Sequence, residues 1–204
     1  MKKGLFITFE GPEGAGKSTQ ARRLAGWLKG RGRKVLQARE PGGTPLGDRL
    51  RRLLLDSRQE GMDPLEELFL YEAARAALVD RVIRPALRAG KTVILDRFQD
   101  STWVYQGWAG GMDLEFIERL GKTAARGLVP DLTILLDLPV RQGLARVTRP
   151  NRMERKPVGF HEKVRRGYLA LARRNPSRFR RIRADRPAGE VQRRIREAVG
   201  DAAE

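Results

Sequence analysis

The sequence has no cysteine, which excludes disulfides and thiolate metal sites. It has one histidine, His161, so a zinc site built on several imidazoles is excluded as well. Aromatic residues make up only 6% and do not interleave with the basic ones, as they would in a stacking platform for single-stranded nucleic acid. No apolar run is long enough to span a membrane. The opening Met1-Lys2-Lys3 and the apolar residues after it have the outline of a signal peptide. That stretch is short and runs into Glu10 and a glycine loop, so it reads as a strand. The expectation is a cytoplasmic enzyme with no membrane partner.

Charge of one sign is abundant. The formal net charge is +17, with arginines densest from Arg141 onward. Such a balance fits an anionic partner: nucleic acid, an acidic membrane or phosphorylated small molecules. It equally fits solvated, arginine-rich helix faces.

Short β-prone apolar runs alternate with helix-period segments. Strands are expected at Leu5–Glu10, Lys34–Glu40, Thr92–Arg97, Leu132–Leu138 and Phe179–Asp185. The nearly continuous apolar character of the middle ones fits parallel strands buried on both faces. Helices are expected at Lys17–Arg31, Pro45–Asp56, Pro64–Ala89, Leu114–Ala125, Pro139–Val147, Gly159–Arg173 and Ala188–Val199. Asp63-Pro64-Leu65-Glu66 has the form of a capping box with proline at the first helical position. Pro85 should kink or end its helix. The βαβ alternation predicts an α/β fold of three layers, a five-stranded parallel sheet flanked by helices. With no repeat and no linker, residues 1–204 read as one domain. In such sheets ligands bind beyond the carboxyl ends of the strands, so the chemistry should lie just after each strand.

After the first strand comes Gly11-Pro12-Glu13-Gly14-Ala15-Gly16-Lys17-Ser18, a full G-x-x-x-x-G-K-[ST] phosphate loop opening a helix. Its backbone N–H groups should cradle the phosphates of ATP, together with Thr19 in the first helical turn. Lys17 should reach the β- and γ-phosphates and Ser18 should ligate Mg²⁺. There is no Asn-Lys-x-Asp of a switch GTPase. The third strand ends in Asp96-Arg97. Asp96 is placed to hold the Mg²⁺ shell through water, and Arg97 puts a cation where two phosphates would meet. A structural salt bridge is the plainer reading of that pair. Arg146, Arg149, Arg152 and Arg155 form a second basic cluster among prolines, without an apolar period. They read as a flexible lid over about residues 148–157, closing on the triphosphate and excluding water. A solvated charged loop is the alternative. Transfer between two phosphates needs positioning and cations rather than a general base. Glu13 and Asp96 keep a hydroxyl acceptor open.

Three stretches together carry a close resemblance: Phe9 to Gln20, Arg39-Glu40-Pro41-Gly42-Gly43-Thr44-Pro45-Leu46-Gly47, and Asp96-Arg97-Phe98 with Tyr105-Gln106-Gly107. The chain resembles the thymidylate kinase family from Phe6 to Val191. The resemblance implies transfer of the γ-phosphoryl group of ATP to thymidine 5′-monophosphate (dTMP) for dTTP synthesis, with Mg²⁺, in a homodimer, and with no specific nucleic-acid partner. It further implies that Glu13 meets the acceptor's 3′-hydroxyl, that Tyr71 stacks on the base and that Arg75 lies on the thymine edge. Thr102 and Gln106 correspond to residues that hydrogen-bond the base, and Arg51 and Arg97 to the clamp on the acceptor phosphate. Gly14 stands where one subgroup has a catalytic arginine. This chain resembles the bacterial subgroup in which Arg149 or Arg152 supplies that charge, with Arg146 on the ATP side. Departures are tyrosine at 71 for the usual phenylalanine, Phe98 for tyrosine, and Asn151 where an aspartate often precedes the lid Arg-x-Glu. His161 reads as structural. Two other functions remain open: a phosphate-loop ATPase that binds nucleic acid through its basic surface, and a related kinase with another pyrimidine monophosphate or a deoxynucleoside as acceptor.

Overall fold

The computed structural model describes residues 4–56, 58 and 61–203; the charged start, residues 1–3, lies outside them. Five strands form one parallel sheet: β1 (Phe6–Glu10), β2 (Val35–Arg39), β3 (Thr92–Asp96), β4 (Leu132–Asp137) and β5 (Phe179–Arg183), in the order β2-β3-β1-β4-β5. β1 and β4 are buried along their whole length, and β3 is buried up to Asp96. That is the environment their continuous apolar sequences require, each large aliphatic side chain contributing about 1.5–3 kcal/mol on burial. The edge strand β5 buries only Phe179 and Ile182 and turns its arginines outward.

Helices cover both faces. α1 (Lys17–Lys29) and α9 (Ala188–Ala203) close one side over Ile7, Phe9, Ile134 and Leu136. On the other side lie α3 (Pro64–Leu78), α5 (Gln99–Thr102), α6 (Leu114–Ala124) and α8 (Val158–Arg174), packed with Leu135 and Phe179. α2 (Pro45–Leu55) packs on α3, and α7 (Val140–Leu144) follows β4. The capping box at Asp63 is present in both halves: Asp63 Oδ1 accepts from Leu65 N–H, and Glu66 Oε2 accepts from Asp63 N–H.

Two local differences from the sequence expectation have physical reasons. Pro85 does not end its helix. A π-turn at Val79–Ile83 widens the helix just before it, and α4 (Arg84–Arg88) continues. The wide turn accommodates the proline ring and the unpaired carbonyl one turn back. Residues 99–109 are not among the helices expected above, yet α5 runs directly into a π-helical segment, Trp103–Ala109. Its β-branched and aromatic residues are poor helix formers, but all except Trp108 are buried, and packing against α8 overrides propensity.

The lid keeps turns rather than a helix from Ala145 to Pro157. Met153 is buried in the α3–α8 core and seats it. Asn151 Oδ1 accepts from the N–H of Met153 and of Glu154, and Glu154 Oε2 accepts from Asn151 N–H at 2.8 Å. Asparagine therefore performs the turn-closing task here that an aspartate would.

Candidate active site

The carboxyl ends of β1, β2 and β3 open onto a cavity of about 320 Å³. The phosphate loop forms one wall. Gly16 caps α1 in the left-handed conformation, φ 85°, with no side chain satisfying the first N–H groups of the helix. They remain available to an anion, which the helix dipole also favours. Lys17 Nζ meanwhile donates to the carbonyls of Gly11 (3.0 Å) and Pro12 (2.7 Å) within the loop. At Gly14, φ 67°, an added Cβ would stand 2.0 Å from the carbonyl oxygen of Gly143 in α7. The loop therefore has no room for an arginine at that position. Ser18 Oγ donates to Asp96 Oδ2 at 2.5 Å, so hydroxyl and carboxylate share one spot at the loop's mouth.

Arg97 crosses between the phosphate loop and the rest of the cavity. It holds a left-handed backbone, φ 69°, unusual for a residue with a Cβ. Its Nη2 donates to Glu13 Oε1 (2.9 Å) and the Tyr105 hydroxyl (3.2 Å). Its Nη1 donates to Tyr168 (3.0 Å), Ser101 (3.1 Å) and the Gly11 carbonyl (3.3 Å). Tyr105 in turn donates to Glu13 at 2.7 Å. Burial pushes the Glu13 carboxyl up, but Arg97 and Lys17 outweigh it and hold it down to about 2. Arg39 and Arg51 line the same space, and Arg51 is anchored to the Pro41 carbonyl at 3.0 Å. Burial and the neighbouring Arg39 both pull the Arg51 guanidinium down, as expected where cations crowd around a void for an anion.

The far half of the cavity carries Tyr71, Arg75, Thr102 and Gln106. Arg75 is almost fully buried and all three of its nitrogens are engaged. They donate to Glu40 (2.9 Å), Glu72 (2.6 Å), Gln99 (2.5 Å) and the Thr102 hydroxyl (3.0 Å). Burial alone would lower Arg75; Glu40 and Glu72 raise it instead, so it stays charged. Gln106 Nε2 donates to Glu67 Oε1 at 2.5 Å. A carboxylate only accepts, so the Gln106 amide must turn its nitrogen to Glu67 and its oxygen the other way. The Tyr71 hydroxyl makes no hydrogen bond among the described residues.

Of the lid arginines, Arg146 Nη1 reaches the Gly14 carbonyl at 3.3 Å, and Arg149 is exposed. Arg152 lies on the far half, donating to the Leu54 carbonyl at 2.9 Å and pairing with Glu67. Arg152 and Arg149 are thus not brought together. Sequence reasoning passed over Glu10, Arg39, Glu40, Glu67, Tyr105 and Tyr168. For Glu10 a signal existed: an acid inside an otherwise apolar buried strand needs partners. Glu67 carries no spacing signature.

No three His, Asp or Glu side chains among the described residues could together hold a metal ion.

The thymidylate kinase family profile matches residues 9–195. A thymidylate kinase from Desulfovibrio desulfuricans is 49% identical, covering 96% of this chain and 94% of that relative. One from Deinococcus radiodurans is 47% identical, covering 98% of each. The crystal structure of thymidylate kinase from Ehrlichia chaffeensis superposes with a TM-score of 0.80 at 32% identity, over 97% of this chain and 99% of that one. With the profile spanning the phosphate loop, the Asp96-Arg97 corner, α3 and the lid, the chain belongs to the thymidylate kinase family.

Proposed function

We propose that the chain transfers the γ-phosphoryl group of ATP to dTMP, giving ADP and thymidine diphosphate, and that Arg97 is the cation at which the two substrates meet. The observation that carries this is one guanidinium bonded both to the phosphate loop at Gly11 and to Glu13, facing Arg39 and Arg51 across one cavity. An acceptor phosphate oxygen forms the new bond to the γ-phosphorus as the bond to the ADP oxygen breaks. That oxygen arrives ionised, so no base is needed. Mg²⁺, held through Ser18 and through water at Asp96, would neutralise charge on the phosphates. Lys17 leaves the Gly11 and Pro12 carbonyls for the β- and γ-phosphates.

Base choice follows from hydrogen-bond polarity. Glu67 leaves Gln106 presenting its carbonyl oxygen, an acceptor. Arg75 donates to Thr102 and leaves that hydroxyl's proton for the base. With the Gln106 oxygen facing position N3 and the Thr102 hydroxyl facing O4, this pair matches thymine and mismatches both groups of cytosine. Arg75 then acts on the base through Thr102. Replacing Glu67 with Gln frees the Gln106 amide to turn, and the kcat/KM preference for dTMP over dCMP should shrink by about 10- to 100-fold. An unchanged preference in kinetics with both acceptors would sink the polarity argument.

The lid divides into two roles. Arg149, exposed and free to swing, should supply transition-state charge, so Arg149→Ala should lower kcat about 10²-fold with little change in acceptor KM. Arg152 supports Glu67, so Arg152→Ala should raise acceptor KM more than it lowers kcat. Steady-state kinetics with each substrate varied would show whether the two effects separate in this way.

The protein would act as a homodimer in the cytoplasm. Leu65 and Phe69, four apart on α3, are 41% and 50% exposed and give that helix an apolar patch for a second copy. The test of function is ADP release from ATP–Mg²⁺ with each nucleoside monophosphate and deoxynucleoside in turn. Highest turnover with dTMP supports the reaction and the acceptor. A different acceptor keeps the phosphate-loop chemistry and discards the base reading. Hydrolysis stimulated only by nucleic acid discards both.

A further inference from the structure

Behind Arg97 stands a carboxylate that touches neither substrate position. Glu10, the last residue of β1, is completely buried. Its Oε1 accepts from Phe98 N–H at 2.7 Å. Its Oε2 accepts from the Ser101 hydroxyl at 2.6 Å and the Tyr168 hydroxyl at 2.9 Å. Ser101 and Tyr168 are the two side-chain groups that accept from Arg97 Nη1. One carboxylate therefore fixes the backbone immediately after the left-handed residue and orients both hydroxyls that receive its guanidinium. The two hydroxyls also meet each other at 2.7 Å, either one able to donate, so their two protons serve Glu10 and that mutual contact while lone pairs remain for Arg97. Burying an acid at the carboxyl end of the central strand is costly unless partners such as these receive it.

We infer that Glu10 is the positioning residue of Arg97: through Phe98, Ser101 and Tyr168 its ionised carboxylate holds the guanidinium at the point where donor and acceptor phosphates meet. The inference rests on the phosphoryl-transfer reading above. It adds a residue that contacts neither phosphate.

The charged and titratable groups facing Glu10 are Arg97 at the end of β3, Asp100 in α5 (itself paired with Arg178 at 2.7 Å), Lys17 in the phosphate loop and Tyr168 in α8. Burial and then Asp100 push the Glu10 carboxyl up to about 7, against the pull of Arg97 and the hydrogen bonds from Ser101 and Phe98. Arg97 itself stays charged throughout, and Tyr168 is pushed well up and stays protonated. Protonating Glu10 turns one acceptor oxygen into a donor and sets it against the hydroxyls or the Phe98 N–H. The sign is definite: activity should fall as pH drops through about 7.

The test is Glu10→Gln, which keeps the shape and removes the charge, alongside Tyr168→Phe and the double variant. Each is assayed with ATP–Mg²⁺ and the best acceptor from pH 5.5 to 9, with circular dichroism as the check on folding. Expected is a fall in kcat of about 30-fold at pH 8 for Glu10→Gln, with the KM for ATP within about twofold of the wild type. The part of the acid limb near 7 should vanish from its pH profile, leaving only the limb of the acceptor phosphate near about 6. Tyr168→Phe should lower kcat about fivefold, and the double variant should lose little beyond Glu10→Gln alone, because the two groups act in one chain. A kcat for Glu10→Gln within threefold of wild type overturns the inference. So does a slower enzyme whose acid limb still lies near 7 rather than near about 6, or full additivity in the double variant. If Glu10→Gln does not fold, Tyr168→Phe decides: an unchanged kcat and pH profile overturns the inference. A wild type that turns over no monophosphate is a different failure, recognisable before any variant is made, and it removes the phosphoryl-transfer reading together with the inference.

Discussion

An Arg97→Ala enzyme should fold normally and lose about 10³-fold in kcat/KM, equivalent to about 4 kcal/mol of transition-state stabilisation. The size follows from the number of tasks on one guanidinium. It binds Glu13, Tyr105, Tyr168, Ser101 and the Gly11 carbonyl at once, and so fixes a planar charge between the loop and the acceptor site. Alanine removes the charge and adds no backbone strain, because arginine already occupies the left-handed region with a Cβ. Lysine would restore a charge but cannot span acceptors on both sides, so Arg97→Lys should recover about tenfold at most. The change also reaches Glu13. In the wild type its carboxyl is held down to about 2, below its unfolded value, so it contributes stability above about 4.5 that is lost as pH falls toward 2. Without Arg97 that contribution shrinks, and the acid limb of thermal stability should flatten between pH 5 and 2. Near-normal turnover in a folded Arg97→Ala protein would remove Arg97 from the mechanism.

The parts of this site that could be read from sequence are those that local spacing encodes. Gly11 to Ser18 announces a phosphate site because only glycines at those offsets let the backbone turn its N–H groups inward. Arg97 could be found because the last residues of a buried parallel strand point at the ligand crevice. The strands were legible to within a residue or so, since an apolar run must end where burial ends. The partners were not legible. Glu67 lies in a helix with other acids, and nothing in its spacing tells that it reaches Gln106, 39 positions away. The resemblance assigns Arg75 to the base, but its saturation by Glu40, Glu72, Gln99 and Thr102 depends on four segments meeting in space. The helical form of residues 99–109 was hidden for a related reason. Trp103, Val104 and Tyr105 are strand formers by propensity, and only the fit against α8 makes them helical. The direction of Arg152 depends on where Met153 seats the lid, which no local pattern records.

Lys17→Met should lower kcat/KM for ATP by about 10³-fold or more while leaving the protein as stable as the wild type, or more so. The two halves have one cause. Lys17 is only 7% exposed and lies among the loop carbonyls. Burial, and then nearby Arg97, lower its ammonium to about 8 against the opposing pull of Glu13, Asp96 and Glu10. A base whose folded pKa lies below its unfolded value makes the charged form unfavourable in the fold, so stability falls as pH drops below about 10.5 and the penalty is complete below about 8. Methionine, of similar length and uncharged, removes that penalty and still fills the space. The triphosphate reverses the balance, because its oxygens replace two neutral carbonyls with formal negative charge. ATP binding above pH 8 should therefore take up a proton in the wild type and none at this site in Lys17→Met. Calorimetry in two buffers of different ionisation enthalpy reads that proton directly, and thermal melts read the stability. A variant that melts well below the wild type at pH 7 would mean that the ammonium holds the empty loop together. The carbonyl contacts would then be structural rather than a resting place for a charge awaiting phosphate.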